Sequence, residues 1–255
     1  MQKAYIIAEI GFNHEGEMDL AKRMIRLAAE SGADAVKFQT YQACDLALPS
    51  APHFELISGG ELSEENFRDL KRECDKVGVE FLSTPFSLEA TEMLERIGVN
   101  AFKVASMDCF NRLLLKKIAS TGKPIYISTG MANYGEIRSL VEFLEKEEAG
   151  PVTVLHCISK YPSVKEDLQL GVIPALKDAL GKPVGYSDHY PGNKACIVAI
   201  SLGANVIETH FTDDTSREGG DHHHSCNPES LKELVDFART YPVMAEGGDR
   251  KSTRL

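Results

Sequence analysis

The sequence predicts a single (β/α)8 TIM barrel, an α/β fold, and leaves a doubly wound parallel sheet as the alternative. Eight short strand-like segments are spread over the 255 residues, and helical patterns alternate with them. A glycine recurs where a helical pattern gives way to the next strand. Because 43% of the residues are hydrophobic, the chain can bury one large core. We assign the barrel to residues 1–244 and a C-terminal tail without periodicity to residues 245–255.

The predicted strands are short apolar segments rich in β-branched and aromatic residues. They cover residues 4–9, 34–39, 79–83, 100–105, 124–128, 152–157, 183–187 and 205–210. Glycines mark the passages from helix to strand, because the residue just past a helix commonly adopts the left-handed conformation. These glycines are Gly32, Gly78, Gly98, Gly122, Gly150, Gly181 and Gly203.

The predicted helices carry apolar residues at i, i+3, i+4 and i+7, which makes one buried stripe per helix. The first stripe is Ala21, Met24, Ile25 and Ala28, and the last helix repeats the spacing after Asn227, its expected N-cap. The longest connection lies between the second strand and its helix, at residues 40–61. It is interpreted as a lid over a site, with a surface insertion as the alternative.

Composition excludes several classes of protein. The chain has 38 acidic and 28 basic residues, a net charge of −10, so it lacks the basic footprint of a nucleic-acid binder. No apolar run approaches the ~18 residues of a membrane span, and the start is too polar for a secretory signal. Six scattered cysteines without a CxxC pair indicate reduced thiols. We expect a cytoplasmic small-molecule enzyme without membrane or nucleic-acid partners.

Polar residues collect at the carboxyl ends of the predicted strands, where barrels of this class build their active sites. In chain order they are Glu9, Lys37, Gln39, Ser83, Thr84, Lys103, Ser106, Ser128, Thr129, His156, Ser159, Ser187, Asp188, His189, Glu208 and His210. Every predicted strand therefore ends in a group that can bind or catalyse.

Two lysines, Lys37 and Lys103, interrupt apolar strands, and a buried ammonium needs an anionic partner. An internal carboxylate such as Glu9 is one possible partner. The other is a phosphate or carboxylate ligand, to which neighbouring hydroxyl groups would also donate hydrogen bonds. Those hydroxyls belong to Ser106, Ser128, Thr129 and Ser187.

His189 and His210 end two consecutive strands and are candidates for one divalent ion, with core histidines as the alternative. Glu9 and Asp221 are candidate oxygen ligands, and a mixed set of this kind suits Mn, Fe, Co or Zn better than Mg. Asp221 opens the run Asp221-His222-His223-His224. Adjacent side chains rarely converge on one ion, so we expect at least two of these three histidines to be solvated. The role of His14 stays open.

Taken together, the strand-end motifs resemble the sialic acid synthase family. They are AEIGFNHEG (8–16), VKFQT (36–40), FLSTPFS (81–87), KVASMD (103–108), ISTGMA (127–132), HCISKYP (156–162), GYSDH (185–189), IETHFTDD (207–214) and GGDHHHS (219–225). The match runs in order from residue 8 to residue 229. A single STG would carry no information, whereas this ordered series is specific.

The resemblance implies condensation of phosphoenolpyruvate with an N-acetylated aldehyde sugar, such as N-acetylmannosamine, to a nine-carbon 2-keto-3-deoxy acid and phosphate. It implies a divalent metal, Mn first with Mg or Co as alternatives, held by His189 and His210. The implied catalytic residues are Glu9, Lys37 and Lys103. The implied phosphoenolpyruvate-binding residues are Lys37, Thr84, Lys103, Ser106, Ser128, Ser159, Tyr161, Ser187 and Asp221.

The sequence departs from the family pattern in three places. Thr209 stands where many members have lysine, and Ser159 where many have asparagine. Typical bacterial members continue into a small antifreeze-like domain that donates an arginine to the sugar site of a dimer partner. We therefore expect a homodimer. We also expect the sequence to be a truncated piece, a shorter family member, or a protein whose antifreeze-like domain is encoded separately. Two other functions stay open: a non-catalytic phosphoenolpyruvate-binding paralogue, and a Schiff-base aldolase using Lys103 or Lys37.

Overall fold

A barrel of eight parallel strands forms the centre of the computed structural model, which describes residues 3–245. The strands are β1 (Tyr5–Glu9), β2 (Ala35–Thr40), β3 (Glu80–Pro85), β4 (Phe102–Val104), β5 (Ile125–Ser128), β6 (Val152–Cys157), β7 (Val184–Asp188) and β8 (Val206–His210). Their order is β3-β2-β1-β8-β7-β6-β5-β4, so the first and last strands pair. β3 and β4 lie side by side and nearly close the barrel. The predicted barrel is confirmed, and each strand lies within two residues of its expected ends.

Ten α-helices in the described part of the chain connect or follow the strands. They are α1 (Met18–Glu30), α2 (Ala43–Leu46), α3 (Phe54–Gly59), α4 (Glu64–Val77), α5 (Leu88–Ile97), α6 (Arg112–Ala119), α7 (Tyr134–Lys146), α8 (Val172–Leu180), α9 (Lys194–Ser201) and α10 (Pro228–Ala245). The stripe Ala21, Met24, Ile25 and Ala28 of α1 is fully buried, as predicted. Asn227 caps α10, because its Oδ1 accepts a 2.9 Å hydrogen bond from the Ser230 amide. Within residues 3–245, no helix is long and apolar enough to span a membrane.

Alternation along the strands divides the barrel interior into two layers. At the amino-terminal end the interior holds an apolar cluster of Ile7, Ala35, Leu82, Ala101, Leu155 and Val206. Two residues further along the same strands, the inward side chains are charged or polar, because side chains repeat on one face of a strand every second residue. Glu9, Lys37, Lys103 and Glu208 therefore lie above the apolar cluster, at the end where the strands finish.

One predicted helix-ending glycine behaves differently from the others. Six of the seven have positive φ, as expected, but Gly150 does not, and Glu148 takes the left-handed conformation instead at φ 53°. A Cβ on Gly150 would lie 2.4 Å from the Gly122 carbonyl oxygen. Glycine is needed there for close backbone approach, so the prediction of a left-handed Gly150 was wrong.

The long connection between β2 and α4 is ordered into the short helices α2 and α3. Leu46 and Ile57 from this connection line the cavity at the carboxyl ends of the strands, which favours the lid interpretation over a surface insertion. All six cysteines are unpaired, and all but Cys44 are buried, as expected. The predicted tail, apart from Ala245 at the end of α10, lies outside the described residues.

Candidate active site

A cavity of about 460 Å³ opens at the carboxyl ends of the strands. All twelve residues singled out for catalysis, ligand binding or metal binding line it: Glu9, Lys37, Thr84, Lys103, Ser106, Ser128, Ser159, Tyr161, Ser187, His189, His210 and Asp221. The structure thus brings the whole predicted set into one place. Their individual roles stay predictions.

Four strand-end candidates point away from the cavity. Ser83 shares a 2.7 Å hydrogen bond with Thr40, and Thr129 donates to the Leu155 carbonyl. His156 pairs with the Leu168 carbonyl and stacks on Tyr186, while Asp188 accepts hydrogen bonds from the Tyr186 hydroxyl and the Tyr190 amide. Each stands one residue from an inward position, so the alternation of the strand places its side chain outside the barrel.

Lys37 has a complete set of protein partners on the cavity floor. Its ammonium lies 2.7 Å from Glu9 Oε2 and donates to Thr84 Oγ1 at 3.0 Å. Gln39 donates to the other oxygen of Glu9 at 3.0 Å. All of these side chains except Gln39 are buried. The internal-carboxylate alternative for Lys37 is therefore what the structure shows.

Lys103 has a carboxylate partner that the sequence interpretation did not select. Glu208 Oε1 lies 3.2 Å from the Lys103 ammonium and accepts a 3.0 Å hydrogen bond from Ser187, while its Oε2 is 4.0 Å from Lys37. Burial alone would raise the pKa of Glu208, but the ammonium groups of Lys103 and Lys37 outweigh it and hold the pKa below its usual range. The available signal was an acidic residue in an apolar strand, two positions before His210 and so on the same face.

Serine hydroxyls form the neighbouring wall. Ser106 Oγ accepts a 3.0 Å hydrogen bond from the Gly130 amide, and a Cβ on Gly130 would lie 2.6 Å from Ser159 Oγ. Ser128 Oγ is buried without a hydrogen-bond partner in the described part of the chain. A buried hydroxyl without a partner is costly, so this wall suits a ligand that brings acceptor oxygens.

On the opposite side, histidines gather around the carboxylate of Asp221. His210 Nδ1 lies 3.4 Å from Asp221 Oδ2, and His224 Nε2 lies 3.7 Å from Asp221 Oδ1. His189 Nδ1 is 2.8 Å from the Ile158 carbonyl, which fixes the proton on that nitrogen and leaves Nε2 with a lone pair. Tyr161, 57% exposed, packs its ring 3.9 Å from the His189 ring, centroid to centroid.

The expectation that two of the three consecutive histidines are solvated was wrong. His222 and His224 are buried, and only His223 is exposed. The backbone of residues 222–224 forms a 3-10 turn that directs the first and third side chains inward. His14 is buried as well, and burial lowers its pKa to about 4. Its Nδ1 accepts a 3.0 Å hydrogen bond from the Gly16 amide, which makes it a structural residue of the first loop.

We call the group formed by His189, His210, Asp221 and His224 the histidine side, and this group offers the donor atoms that a divalent metal requires. One donor atom each from His210, Asp221 and His224 lies within 4.8 Å of the others. Among residues 3–245, His210 Nδ1 and both ring nitrogens of His224 are buried without a hydrogen-bond partner. Burial lowers the pKa of His189 to about 3 and of His224 to about 4, so both imidazoles are neutral at neutral pH, the form in which an imidazole can bind a metal. Glu9, the other predicted oxygen donor, is engaged by Lys37 instead.

A (β/α)8 barrel whose cavity combines buried lysines and serines with a cluster of histidines and one aspartate is typical of enzymes that handle anionic substrates. The model of the NeuB family matches residues 24–250. The chain belongs to the NeuB family, which confirms the resemblance to sialic acid synthases.

Relatives cover nearly the whole chain. A protein of Methanocaldococcus jannaschii with no described activity is 44% identical over 98% of this chain and 74% of its own length. The N,N'-diacetyllegionaminic acid synthase of Campylobacter jejuni is 38% identical, over 100% of this chain and 81% of that protein. The crystal structure of an N-acetylneuraminic acid (sialic acid) synthetase from Leptospira borgpetersenii, in complex with citrate, superposes with a TM-score of 0.94 at 35% identity, covering 98% and 87%. The chain is an enzyme of the synthase type in carbohydrate biosynthesis.

Proposed function

We propose that this enzyme condenses phosphoenolpyruvate with an N-acetylated aldehyde sugar, giving a nine-carbon 2-keto-3-deoxy acid of the sialic acid type and inorganic phosphate. Its products would serve surface polysaccharide biosynthesis. The acceptor class follows the names of the relatives, which make legionaminic and N-acetylneuraminic acids. One observation carries the proposal: the buried lysines face the same cavity as His189, His210 and Asp221, the candidate metal ligands.

The lysine side of the cavity, formed by the two lysines, their carboxylate partners and the serine wall, is the proposed binding site of phosphoenolpyruvate. Lys37 and Lys103 are held in place by Glu9 and Glu208, so no side-chain entropy is lost when a substrate oxygen replaces part of this pairing. Ser106, Ser128 and Ser187 supply hydroxyl donors to the phosphate or carboxylate. Arginine is not among the cavity-lining residues of the described chain, so these groups carry anion recognition.

The net charge of the lysine side favours a role for a metal ion in binding phosphoenolpyruvate. Two ammonium groups and two carboxylates cancel, whereas phosphoenolpyruvate brings a phosphate and a carboxylate. A divalent ion, Mn2+ in the first place, held by His189 and His210 with Asp221 as an oxygen ligand, would supply the missing positive charge and polarise the aldehyde oxygen.

The carbon–carbon bond forms when the C2–C3 π electrons of phosphoenolpyruvate attack the aldehyde carbon. Water then adds at C2 and gives one proton to Glu9, which passes it to the alkoxide formed from the aldehyde oxygen. C–O cleavage expels phosphate, which takes up the proton of the C2 hydroxyl as the 2-keto acid forms. Glu9 is the proposed proton carrier because its carboxylate lines the cavity and Lys37 holds it in place. Lys103 stabilises the departing phosphate.

Residues outside the cavity lining are proposed to complete the binding site for the sugar. We propose a homodimer, with an antifreeze-like domain that brings an arginine to the sugar. Release of phosphate from phosphoenolpyruvate is the test, measured with Mn2+, N-acetylmannosamine, its diacetamido relatives and unacetylated phosphorylated aldoses, with and without chelator. Release that requires both metal and an acetamido sugar supports the proposal.

Other experimental outcomes would support one of the two alternative functions, a Schiff-base aldolase or a non-catalytic paralogue. Trapping of Lys103 by borohydride in the presence of a keto substrate and chelator would identify a Schiff-base aldolase. Lys103 is ion-paired with Glu208, which disfavours the free amine that this route requires. Binding of phosphoenolpyruvate without phosphate release, even after an antifreeze-like domain is added in trans, would identify a non-catalytic paralogue.

A further inference from the structure

We propose that His224 is a metal ligand in this chain, completing a two-histidine, one-carboxylate site with His210 and Asp221. The inference rests on the metal of the proposed function and goes beyond the His189–His210 pair expected from the sequence. It concerns which residues of this chain hold the ion, so binding of the ion alone can test it.

The geometry of the three donors is close to that of a metal site. Ligand atoms about 2.1 Å from an ion lie about 3.4 Å apart in a tetrahedral arrangement. His210 Nδ1 and Asp221 Oδ2 are 3.4 Å apart, and His224 Nε2 and Asp221 Oδ1 are 3.7 Å apart. All three donor atoms lie within 4.8 Å of one another, so side-chain movements of about an ångström would bring them to one ion.

His224 is buried, and its ring nitrogens have no hydrogen-bond partner in the described residues. Its side chain is 1% exposed. A buried polar group without a partner costs about 1–3 kcal/mol. Its ring packs edge to face with His210, 5.1 Å between centroids, and with Tyr161 at 6.3 Å. A metal ion beside Asp221 would give this imidazole its missing partner.

The local backbone explains why His224, rather than its neighbours, reaches this position. The His224 amide donates to the Asp221 carbonyl at 3.3 Å, which closes a turn and brings the two side chains together. His222 Nδ1 is 2.7 Å from Thr212 Oγ1, and its Nε2 is 3.1 Å from Glu15 Oε1, so His222 is already engaged. His223 points to solvent. A run of three histidines thus contributes one ligand.

Asp221 is held in place for the same purpose. Its backbone amide donates to Asn13 Oδ1 at 2.8 Å, and its carbonyl accepts from Ser225 Oγ at 2.7 Å. Asn13 is fully buried and also donates to Ser225 Oγ and to the Phe211 carbonyl. Asn13 therefore ties the histidine turn to the end of β8, while the Asp221 carboxylate stays free for an ion.

Titration of the metal-free full chain with Co2+ tests the inference, because cobalt reports its ligands by absorption. We expect His224→Ala to weaken Co2+ and Mn2+ binding at least about tenfold in calorimetry, and His223→Ala to bind as the wild type does. Thermal unfolding and circular dichroism of each metal-free variant establish that it is folded.

A second variant adds a gain of signal. With Co2+ bound, His224→Cys should show a thiolate-to-cobalt charge-transfer band that is absent from the wild type and from His223→Cys. Unchanged affinity in His224→Ala, no such band in His224→Cys, or a wild type that binds neither metal would each overturn the inference. Because the titration contains neither phosphoenolpyruvate nor sugar, failure of the proposed reaction would not alter its outcome.

Discussion

The two sides of the cavity differ in how their ionisable groups are partnered. On the lysine side, Glu9 and Glu208 pair with Lys37 and Lys103. On the histidine side, the nitrogens of His224 and Nδ1 of His210 are buried without hydrogen bonds in the described chain. The lysine side is thus held by internal ion pairs, with Ser128 Oγ left without a partner in the described residues, whereas the histidine side leaves imidazole nitrogens without one.

The largest effect is expected from breaking the lysine side. Lys103→Met leaves Glu208 buried with only Lys37, 4.0 Å away, as a cationic neighbour. We expect a loss of about 3–5 kcal/mol in the free energy of unfolding, because an uncompensated buried charge remains. Urea unfolding measures the loss. The double variant with Glu208→Gln should recover most of the stability but not phosphoenolpyruvate binding, and a double variant as unstable as Lys103→Met would contradict the pairing.

Metal addition should stabilise the protein through the histidine side. An ion at a concentration of a hundred times its Kd adds about 2.7 kcal/mol, since it binds only the folded state. The thermal midpoint of the chelator-treated protein should therefore rise by several degrees with Mn2+. His210→Ala should abolish the rise, and an equal rise in that variant would place the ion elsewhere.

His14, which belongs to neither side of the cavity, provides a reference for the pH dependence of stability. Burial lowers the pKa of His14 to about 4, below the ordinary value near 6.5 that applies in the unfolded chain. A lowered histidine pKa costs stability as the pH falls below 6.5, with the loss growing until about pH 4 and no effect above 6.5. At pH 5 this amounts to about 2 kcal/mol. Urea unfolding at pH 7.5 and pH 5 should show a smaller pH-dependent loss in His14→Asn than in the wild type, and identical losses would refute this account of His14.

The smallest effect is expected at Ser187, which donates one hydrogen bond to Glu208. Ser187→Ala should destabilise the fold by about 1 kcal/mol, because the buried carboxylate loses one donor but keeps Lys103. It should also raise the KM for phosphoenolpyruvate more than it lowers kcat. A KM equal to that of the wild type would remove Ser187 from the proposed anion seat.

The sequence predicted the barrel well because strands and helices impose different periods on apolar residues. The position of Glu9 and Lys37 in the cavity followed from the ends of β1 and β2. The partnership of Glu208 with Lys103 did not, because it depends on which strands face each other across the barrel. The inward turn of His224 depends on a 3-10 segment and on contacts of Asn13, and neither has a periodic signature.

Binding of phosphoenolpyruvate to the metal-free and the Mn2+-loaded protein is the most direct test of the claim that both sides act on one substrate pair. Calorimetry should show affinity at least about tenfold higher with the metal, because the lysine side is neutral on its own. Lys103→Met should weaken binding in both states, and His223→Ala in neither. Equal affinity with and without Mn2+ would contradict the account, since the anion seat would then work independently of the histidine side.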